Sequence, residues 1–167
     1  HLIDSLLIDL QRLNDYRKAT GTVDTTLRDT SIINNLVNLA MLHRSNPDSG
    51  QYYASLVVDW AKKIDYKKAL GIGYNVLGTA SKMQGNYPAA IDYFQKSIDI
   101  WIAKKDSMAL GATYANLGEV YRLKTDYPEA LKYFLLSLRI DEALQYEIGI
   151  AYAYNYLGAT YQELGDY

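Results

Sequence analysis

The sequence contains no cysteine, which excludes disulfides, thiolate nucleophiles and cysteine metal sites. No run of about 18 apolar residues is present, so no segment is expected to span a membrane. Basic and acidic residues nearly balance, at 17 and 19, and the chain therefore lacks the strongly basic face that nucleic-acid binding requires. What remains is a chain of 167 residues, 49% of them hydrophobic, which is long enough to bury a sizeable apolar core.

The main positive feature is a pattern that recurs forty residues apart. Its clearest copy occupies residues 114–134. The equivalent positions in the other two copies are Tyr74, Leu77, Gly78, Ala90 and Phe94 before it, and Tyr154, Leu157, Gly158 and Tyr161 after it. A fixed period in this range predicts a stacked array of repeats.

A glycine within the pattern indicates that two helices pack closely in each copy. The apolar residues of segment 114–121 are spaced i, i+3 and i+7, which places them on one helical face together with Gly118. Glycine inside a helix costs about 1 kcal/mol relative to alanine. The absence of a side chain lets a second helix approach, and Ala130 followed by Phe134 fits that second helix. Each copy is therefore predicted to be a helix hairpin.

The link between the two helices has its own signal. Asp126 is suited to cap the second helix, and Pro128 needs no backbone donor in the first turn. Pro47 is expected to end one helix and start the next in the same way.

This pattern resembles the tetratricopeptide repeat, in which a bulky residue, Leu-Gly, Tyr, Ala, Phe and Ala occupy fixed columns. Ser137 replaces the last Ala. The resemblance implies an all-α fold, a right-handed α-solenoid of antiparallel helix hairpins that binds a protein or peptide without catalysis. Ile102 and Glu142 replace the proline that usually closes the second helix, and the usual period is about 34 residues. The sequence is therefore more similar to long-repeat members such as those of kinesin light chains.

The same register divides the chain into five parts. They are a leading helix and loop at 1–30, a degenerate first repeat at 31–66, full repeats at 67–106 and 107–146, and the first helix of a fourth repeat at 147–167. The leading part is predicted to hold a helix over 2–17 and a loop over 19–28, with Asp29 or Thr30 capping the next helix. Because the chain opens without Met and stops within a repeat, we expect a fragment of a larger protein.

Tyrosine is unusually frequent, at 17 residues, and most tyrosines fall in repeat columns. Core packing with the hydroxyl at the rim is the expected role of these rings. In the last predicted helix, which lacks a following helix, Tyr154, Leu157 and Tyr161 are expected to form a partly exposed apolar strip. Such a strip favours end-to-end self-association or fraying of that helix.

The resemblance also implies a partner-binding groove on the face formed by the first helix of each repeat. Polar residues in three columns are the candidates: Asn35, Asn75 and Asn155; Thr79 and Glu119; Lys82, Arg122 and Gln162. Asparagine both donates and accepts, which suits an extended peptide backbone, while Lys82 and Arg122 suit a carboxylate. The alternative is that all are ordinary solvated helix residues. If they line a groove, the double change Asn75→Ala, Arg122→Glu is expected to abolish partner binding without lowering the melting temperature.

No residues assemble into a catalytic or metal site, and no cofactor is expected. The segment Gly71–Val76 superficially resembles a dinucleotide-binding motif, but it lacks a preceding strand and a third glycine. His43 is the only internal histidine, and a lone histidine is more often a loop or cap residue than a ligand. The carboxylates are expected on solvated helix exteriors. They are Asp92, Asp99, Glu129, Asp141 and Glu142.

A second resemblance covers the N-terminal third of the chain. It rests on Ile3–Leu6, Asp29-Thr30, Asn46–Ser49 and Tyr52–Ala54. These residues are similar to the leading repeats of bacterial sensor histidine kinases and nucleotide cyclases, in which the array precedes a membrane helix and a cytoplasmic output domain. This resemblance implies an alternative function, a periplasmic or otherwise extracytoplasmic input region of a signal-transduction enzyme. Any enzymatic domain would then lie outside this chain.

Overall fold

The computed structural model describes residues 26–165, which form seven α-helices and no strand. The helices are α1 (Thr26–Leu42), α2 (Pro47–Lys63), α3 (Lys67–Met83), α4 (Tyr87–Lys104), α5 (Ser107–Leu123), α6 (Tyr127–Ala143) and α7 (Glu147–Leu164). Links of a few residues make consecutive helices antiparallel neighbours. The predicted helix over 2–17 lies outside the described residues.

The start of α1 differs from the prediction. Residues 26–28 are helical rather than part of a loop, and Asp29 and Thr30 lie within the helix, so neither of them caps it. Threonine is favoured at the cap, and aspartate both at the cap and within the first turn. Their presence therefore marks the region of a helix start without fixing its first residue.

Four of the later helices begin at a side-chain cap. The side-chain oxygens of Asn46, Asn86, Asp106 and Asp126 accept a hydrogen bond from the backbone N–H three residues on, at 3.0–3.5 Å. A proline lies in the first turn of α2, α4 and α6. The predicted roles of Asp126, Pro128 and Pro47 are confirmed. Each cap or proline satisfies or removes a donor that the first turn would leave unpaired.

Five successive links, from the one after α2 to the one before α7, each contain one residue with positive φ. These residues are twenty positions apart: Asp65, Gly85, Lys105, Thr125 and Gln145. Their φ values lie between 53° and 73°. Only Gly85 takes this left-handed conformation without a steric cost, because the other four carry a Cβ.

Close approach of the helices within a hairpin is confirmed at the glycines that predicted it. A Cβ at Gly118 would lie 2.7 Å from a ring carbon of Phe134, and a Cβ at Gly78 would lie 2.7 Å from Phe94. Both phenylalanines are fully buried. Gly71, within the segment that resembles a dinucleotide motif, lies in α3 against the Trp101 ring, which confirms helix packing for that segment.

A hydrogen bond that the sequence did not predict joins the same pairs of helices. The hydroxyl of Ser97 donates to the carbonyl oxygen of Gly71, and that of Ser137 donates to the carbonyl oxygen of Gly111, both at 2.9 Å. Serine is only slightly larger than the alanine it replaces in this column. The substitution therefore retains close packing and adds a buried bond worth about 1 kcal/mol.

The helices form two rows. Besides contacting its neighbours in sequence, α1 contacts α3, α3 contacts α5, and α5 contacts α7, whereas α2, α4 and α6 make no close backbone contact with one another. In a curved array, the helices on the concave side lie closer together than those on the convex side. We therefore call the row whose members touch one another, α1, α3, α5 and α7, the inner row. The predicted all-α solenoid of helix hairpins is confirmed, and tyrosine pairs such as Tyr74–Tyr93 and Tyr114–Tyr133 pack at its rim as expected.

The last helix exposes part of the predicted apolar strip. Tyr154 and Tyr161 are 58% and 42% exposed, as expected. Leu157 is buried in the cluster that also contains Phe134 and Leu138 of α6. Its predicted exposure is therefore wrong, because the preceding helices cover it without a following helix. Self-association through this surface stays a prediction. Within the described residues, no helix is both long enough and apolar enough to cross a bilayer.

Candidate binding groove

A cavity of about 720 Å³ runs along the inner row. Its lining comes from all four helices of that row, from two residues of α6, and from the links after α1 and before α7. We call this cavity the groove. Helices α2 and α4 contribute nothing to it, so it lies on the face to which the tetratricopeptide resemblance assigns partner binding.

All three methionines of the protein line the groove. Met41, Met83 and Met108 are 40%, 48% and 59% exposed, and Tyr152, which also lines the groove, is 60% exposed. Methionine is unbranched and polarisable, and it adapts its shape to irregular apolar surfaces. Exposed methionines in the lining of one cavity therefore give the groove deformable apolar surface suited to a nonpolar ligand.

Asn75 lies in the groove lining as predicted, but its side chain is already engaged. Its Nδ2 donates to the hydroxyl of Thr113 at 3.0 Å, and its Oδ1 accepts from Nδ2 of Asn116 at 3.4 Å. These bonds join α3 to α5. The hydroxyl of Thr79, the second predicted residue that lines the groove, donates to the backbone oxygen of Asn75 at 3.0 Å.

The predicted cationic residues form ion pairs between neighbouring inner helices. Lys82 of α3 pairs with Glu119 of α5, and Arg122 of α5 pairs with Glu163 of α7 at 2.5 Å. The Lys82 and Arg122 side chains are only 12% and 21% exposed. Because this limited exposure reduces screening by water, the two ion pairs stabilise the contacts between neighbouring inner helices more than fully exposed ion pairs would. A partner carboxylate would have to compete with Glu119 or Glu163.

The other three predicted residues lie away from the groove. Asn35 is half-buried in α1, while Asn155 and Gln162 are exposed on α7. None of them is among the groove-lining residues, and neither are Lys82 and the other paired charges. Contact between any of the eight predicted residues and a partner stays a prediction.

The groove contains a charged residue that sequence reasoning placed on a solvated helix exterior. Asp141 of α6 is only 6% exposed and lines the groove, so that expectation is wrong. A Cβ at Gly149 would lie 2.5 Å from the Asp141 carboxyl carbon, and a Cβ at Gly111 would lie 3.5 Å from Oδ1. Because Gly111 and Gly149 have no side chains, the Asp141 carboxylate fits between α5 and α7.

The Asp141 carboxylate has little stabilisation from the protein. Its hydrogen-bond donor is the Ser137 hydroxyl, whose oxygen lies 3.4 Å from Oδ2 of Asp141. The same hydroxyl donates to the carbonyl oxygen of Gly111 at 2.9 Å, so the donor is shared. Among residues 26–165, no lysine or arginine forms an ion pair with it. Burial raises the pKa of the carboxyl above its ordinary value, and the hydrogen bond from Ser137 only partly offsets this rise.

One signal in the sequence pointed to this residue. Asp141 lies forty residues after Trp101, a buried core residue. A carboxylate in the column of a buried tryptophan is a departure from the repeat rather than an ordinary exterior residue.

His43 lies in the link between α1 and α2, as expected of a loop residue, and the centroid of its ring is 5.4 Å from that of the Tyr53 ring. Within the described part of the chain, no group of three or more His, Cys, Asp or Glu residues is arranged to hold a metal ion.

The repeat pattern is matched by a family model described as tetratricopeptide repeat, over residues 69–143 and again over 109–167. Together these matches cover more than half of the chain. The chain belongs to the tetratricopeptide repeat family. Tetratricopeptide repeats are typical of protein-interaction scaffolds.

Two crystal structures show the same solenoid. One is that of BtubC (BKLC) from P. vanneervenii, with a TM-score of 0.75 and 18% identity over 98% of this chain and 73% of that chain. The other is a signal transduction ATPase with numerous domains, with a tetratricopeptide repeat sensor, PH0952 from Pyrococcus horikoshii. Its TM-score is 0.71 and its identity 18%, over 98% of this chain and 26% of that one. A comparison with curated proteins finds no match. At this identity the likenesses concern the tetratricopeptide fold alone.

Proposed function

We propose that this tetratricopeptide array is a non-catalytic scaffold that holds an apolar segment of a partner protein in the groove. The observation that carries the proposal is the location of all three methionines, each at least 40% exposed, in the lining of one cavity on the inner row. Scattered single apolar residues are ordinary on a surface, but exposed apolar residues that line one cavity are expected at an interaction site.

The shape of the groove supports a segment rather than a small ligand. The lining extends from Met41 at the end of α1 to Tyr156 in α7, so it follows the row of helices instead of closing around one point. The small side chains of Ala112 and Ala115 keep its α5 section open and leave room for a chain to lie across it. Methionine-lined surfaces accommodate varied partners by repacking, which suits recognition of a short apolar segment.

A selection experiment tests this function. The protein is immobilised and used to select from a displayed library of random twelve-residue peptides, in parallel with Ala112→Trp and Ala103→Trp variants. Both alanines are exposed, but Ala112 lines the groove whereas Ala103 is on the outer helix α4. We expect enrichment of apolar peptides on the unaltered protein and on the Ala103→Trp control, and its loss on Ala112→Trp. Equal retention by both variants, or no enrichment at all, would refute binding in the groove.

The alternative function, an input region of a signal-transduction enzyme, is compatible with the same groove. The similar Pyrococcus protein is itself described as carrying a tetratricopeptide repeat sensor, although it shares only 18% identity with this chain. The alternative predicts a membrane segment and an output domain in the parent reading frame. Sequencing that frame decides between an input region and a free-standing scaffold.

A further inference from the structure

The strongest feature that the proposed function leaves unused is Asp141 at the floor of the groove. We propose that the groove selects partner segments in which a lysine or arginine is flanked by apolar residues, and that Asp141 binds the basic side chain. This inference rests on the proposed function, because it names which peptides the groove would hold.

The fold itself does not require a carboxylate at this position. In the preceding repeat the same column is filled by Trp101, which is 3% exposed and packs against Gly71, so an uncharged residue can complete this interface. Removing a carboxylate from water without a cation or several donors is costly. Asp141 has only one long hydrogen bond from Ser137, and that donor is shared. The residue therefore has the features expected of a group whose partner binds from outside.

The surroundings of Asp141 match a basic side chain with an apolar stem. The rings of Tyr152 and Tyr156 line the groove on the neighbouring helix α7, and aromatic faces attract cations. Met108, which lines the groove one turn before Gly111 on α5, suits the aliphatic carbons of lysine or arginine and their apolar neighbours. The other charged residue of the lining, Arg44, belongs to the link after α1, with α3 and α5 between it and α7. A basic group at Asp141 would therefore lie far from the one cationic residue of the lining.

The peptide selection tests this inference when it is repeated with two further variants. Asp141→Asn removes the charge and keeps the shape, whereas Glu142→Gln makes the same charge change at the adjacent, exposed residue. We expect lysine and arginine to be enriched among peptides retained by the unaltered protein and by Glu142→Gln, and this enrichment to disappear with Asp141→Asn. The Glu142→Gln control separates binding at Asp141 from general attraction to an acidic protein.

A second measurement requires no variant of the protein. One enriched peptide is synthesised with its basic residue and with methionine in its place, and both affinities are measured by calorimetry. A charge-assisted hydrogen bond in a buried site contributes enough that we expect the affinity to fall roughly tenfold or more with the methionine peptide.

The outcomes separate the two proposals. If apolar peptides are retained but basic residues are not enriched, or if Asp141→Asn retains the same basic peptides, then the role of Asp141 is refuted while groove binding stands. If no peptide is retained by any form of the protein, the proposed function fails as well.

Discussion

Replacing Gly118 with alanine is the sharpest test of how the hairpins hold together. The added Cβ would lie 2.7 and 2.8 Å from two ring carbons of Phe134 and 3.2 Å from the backbone oxygen of Ala130. Phe134 is fully buried and stacks on Tyr156 at a centroid distance of 5.0 Å, so its ring has no space to turn away. Helices α5 and α6 would therefore have to separate.

The expected magnitude follows from two opposing effects. Overpacking a core costs about 1–3 kcal/mol, and contact with both a buried ring and the backbone places this site in the upper half of that range. The gain in helix propensity from glycine to alanine is about 1 kcal/mol. We therefore expect Gly118→Ala to lower the free energy of unfolding by about 1–2 kcal/mol, the difference between these effects.

Gly158 provides the matched control. It occupies the same column in α7, but a Cβ there would meet nothing within 4 Å. Gly158→Ala should therefore gain the helix propensity alone and raise the free energy of unfolding by about 1 kcal/mol. Urea denaturation followed by circular dichroism measures both changes, provided that the slope with denaturant is unchanged. Equal shifts in the same direction for the two variants would refute the argument that packing requires glycine at position 118.

Three further changes have expected outcomes. Thr125→Gly should raise the free energy of unfolding by about 1 kcal/mol, because Thr125 has a φ of 62° that β-branched residues rarely adopt. An unchanged midpoint in urea denaturation would contradict this gain in stability. Asp141→Asn should raise the melting temperature at neutral pH, since the pKa of this carboxyl is raised in the folded state and its ionisation opposes folding. That gain should shrink as the pH falls and vanish below the ordinary value of 3.8, and a gain independent of pH would contradict the burial effect. The double change Asn75→Ala, Arg122→Glu should lower the melting temperature, because it removes the hydrogen bond from Asn75 to Thr113 of α5 and places a second carboxylate beside Glu163. Thermal scans at low salt measure this change in melting temperature. An unchanged midpoint would show that these contacts contribute nothing to stability.

The last of these expectations reverses the one drawn from sequence. The columns of Asn75 and Arg122 were identified correctly as inner-row positions, but periodicity says nothing about whether a polar side chain faces solvent or the next helix. That depends on how closely the inner helices approach. Here they are close enough for the side chains of α3, α5 and α7 to bond to one another.

The fold was largely predictable because its signals are local and repeated. The glycine at position 118, the cap at Asp126 and the proline after it each have one dominant physical explanation, and the forty-residue period multiplies that evidence. Asp141 was missed because an acidic residue on a helix is assigned to solvent by default. Its burial results from the small size of Gly111 and Gly149 on two other helices, which only the three-dimensional arrangement brings together.

The evenly spaced left-handed residues in the links have a mechanical consequence. Each of the five links that contain one is only two or three residues long, and no long flexible connection lies between α2 and α7. A structure of this kind has no single joint at which it can swing open. We expect any widening of the groove on binding a segment to be distributed as small displacements over all the helix contacts. The array would then change its curvature gradually along its length rather than bend at one hinge.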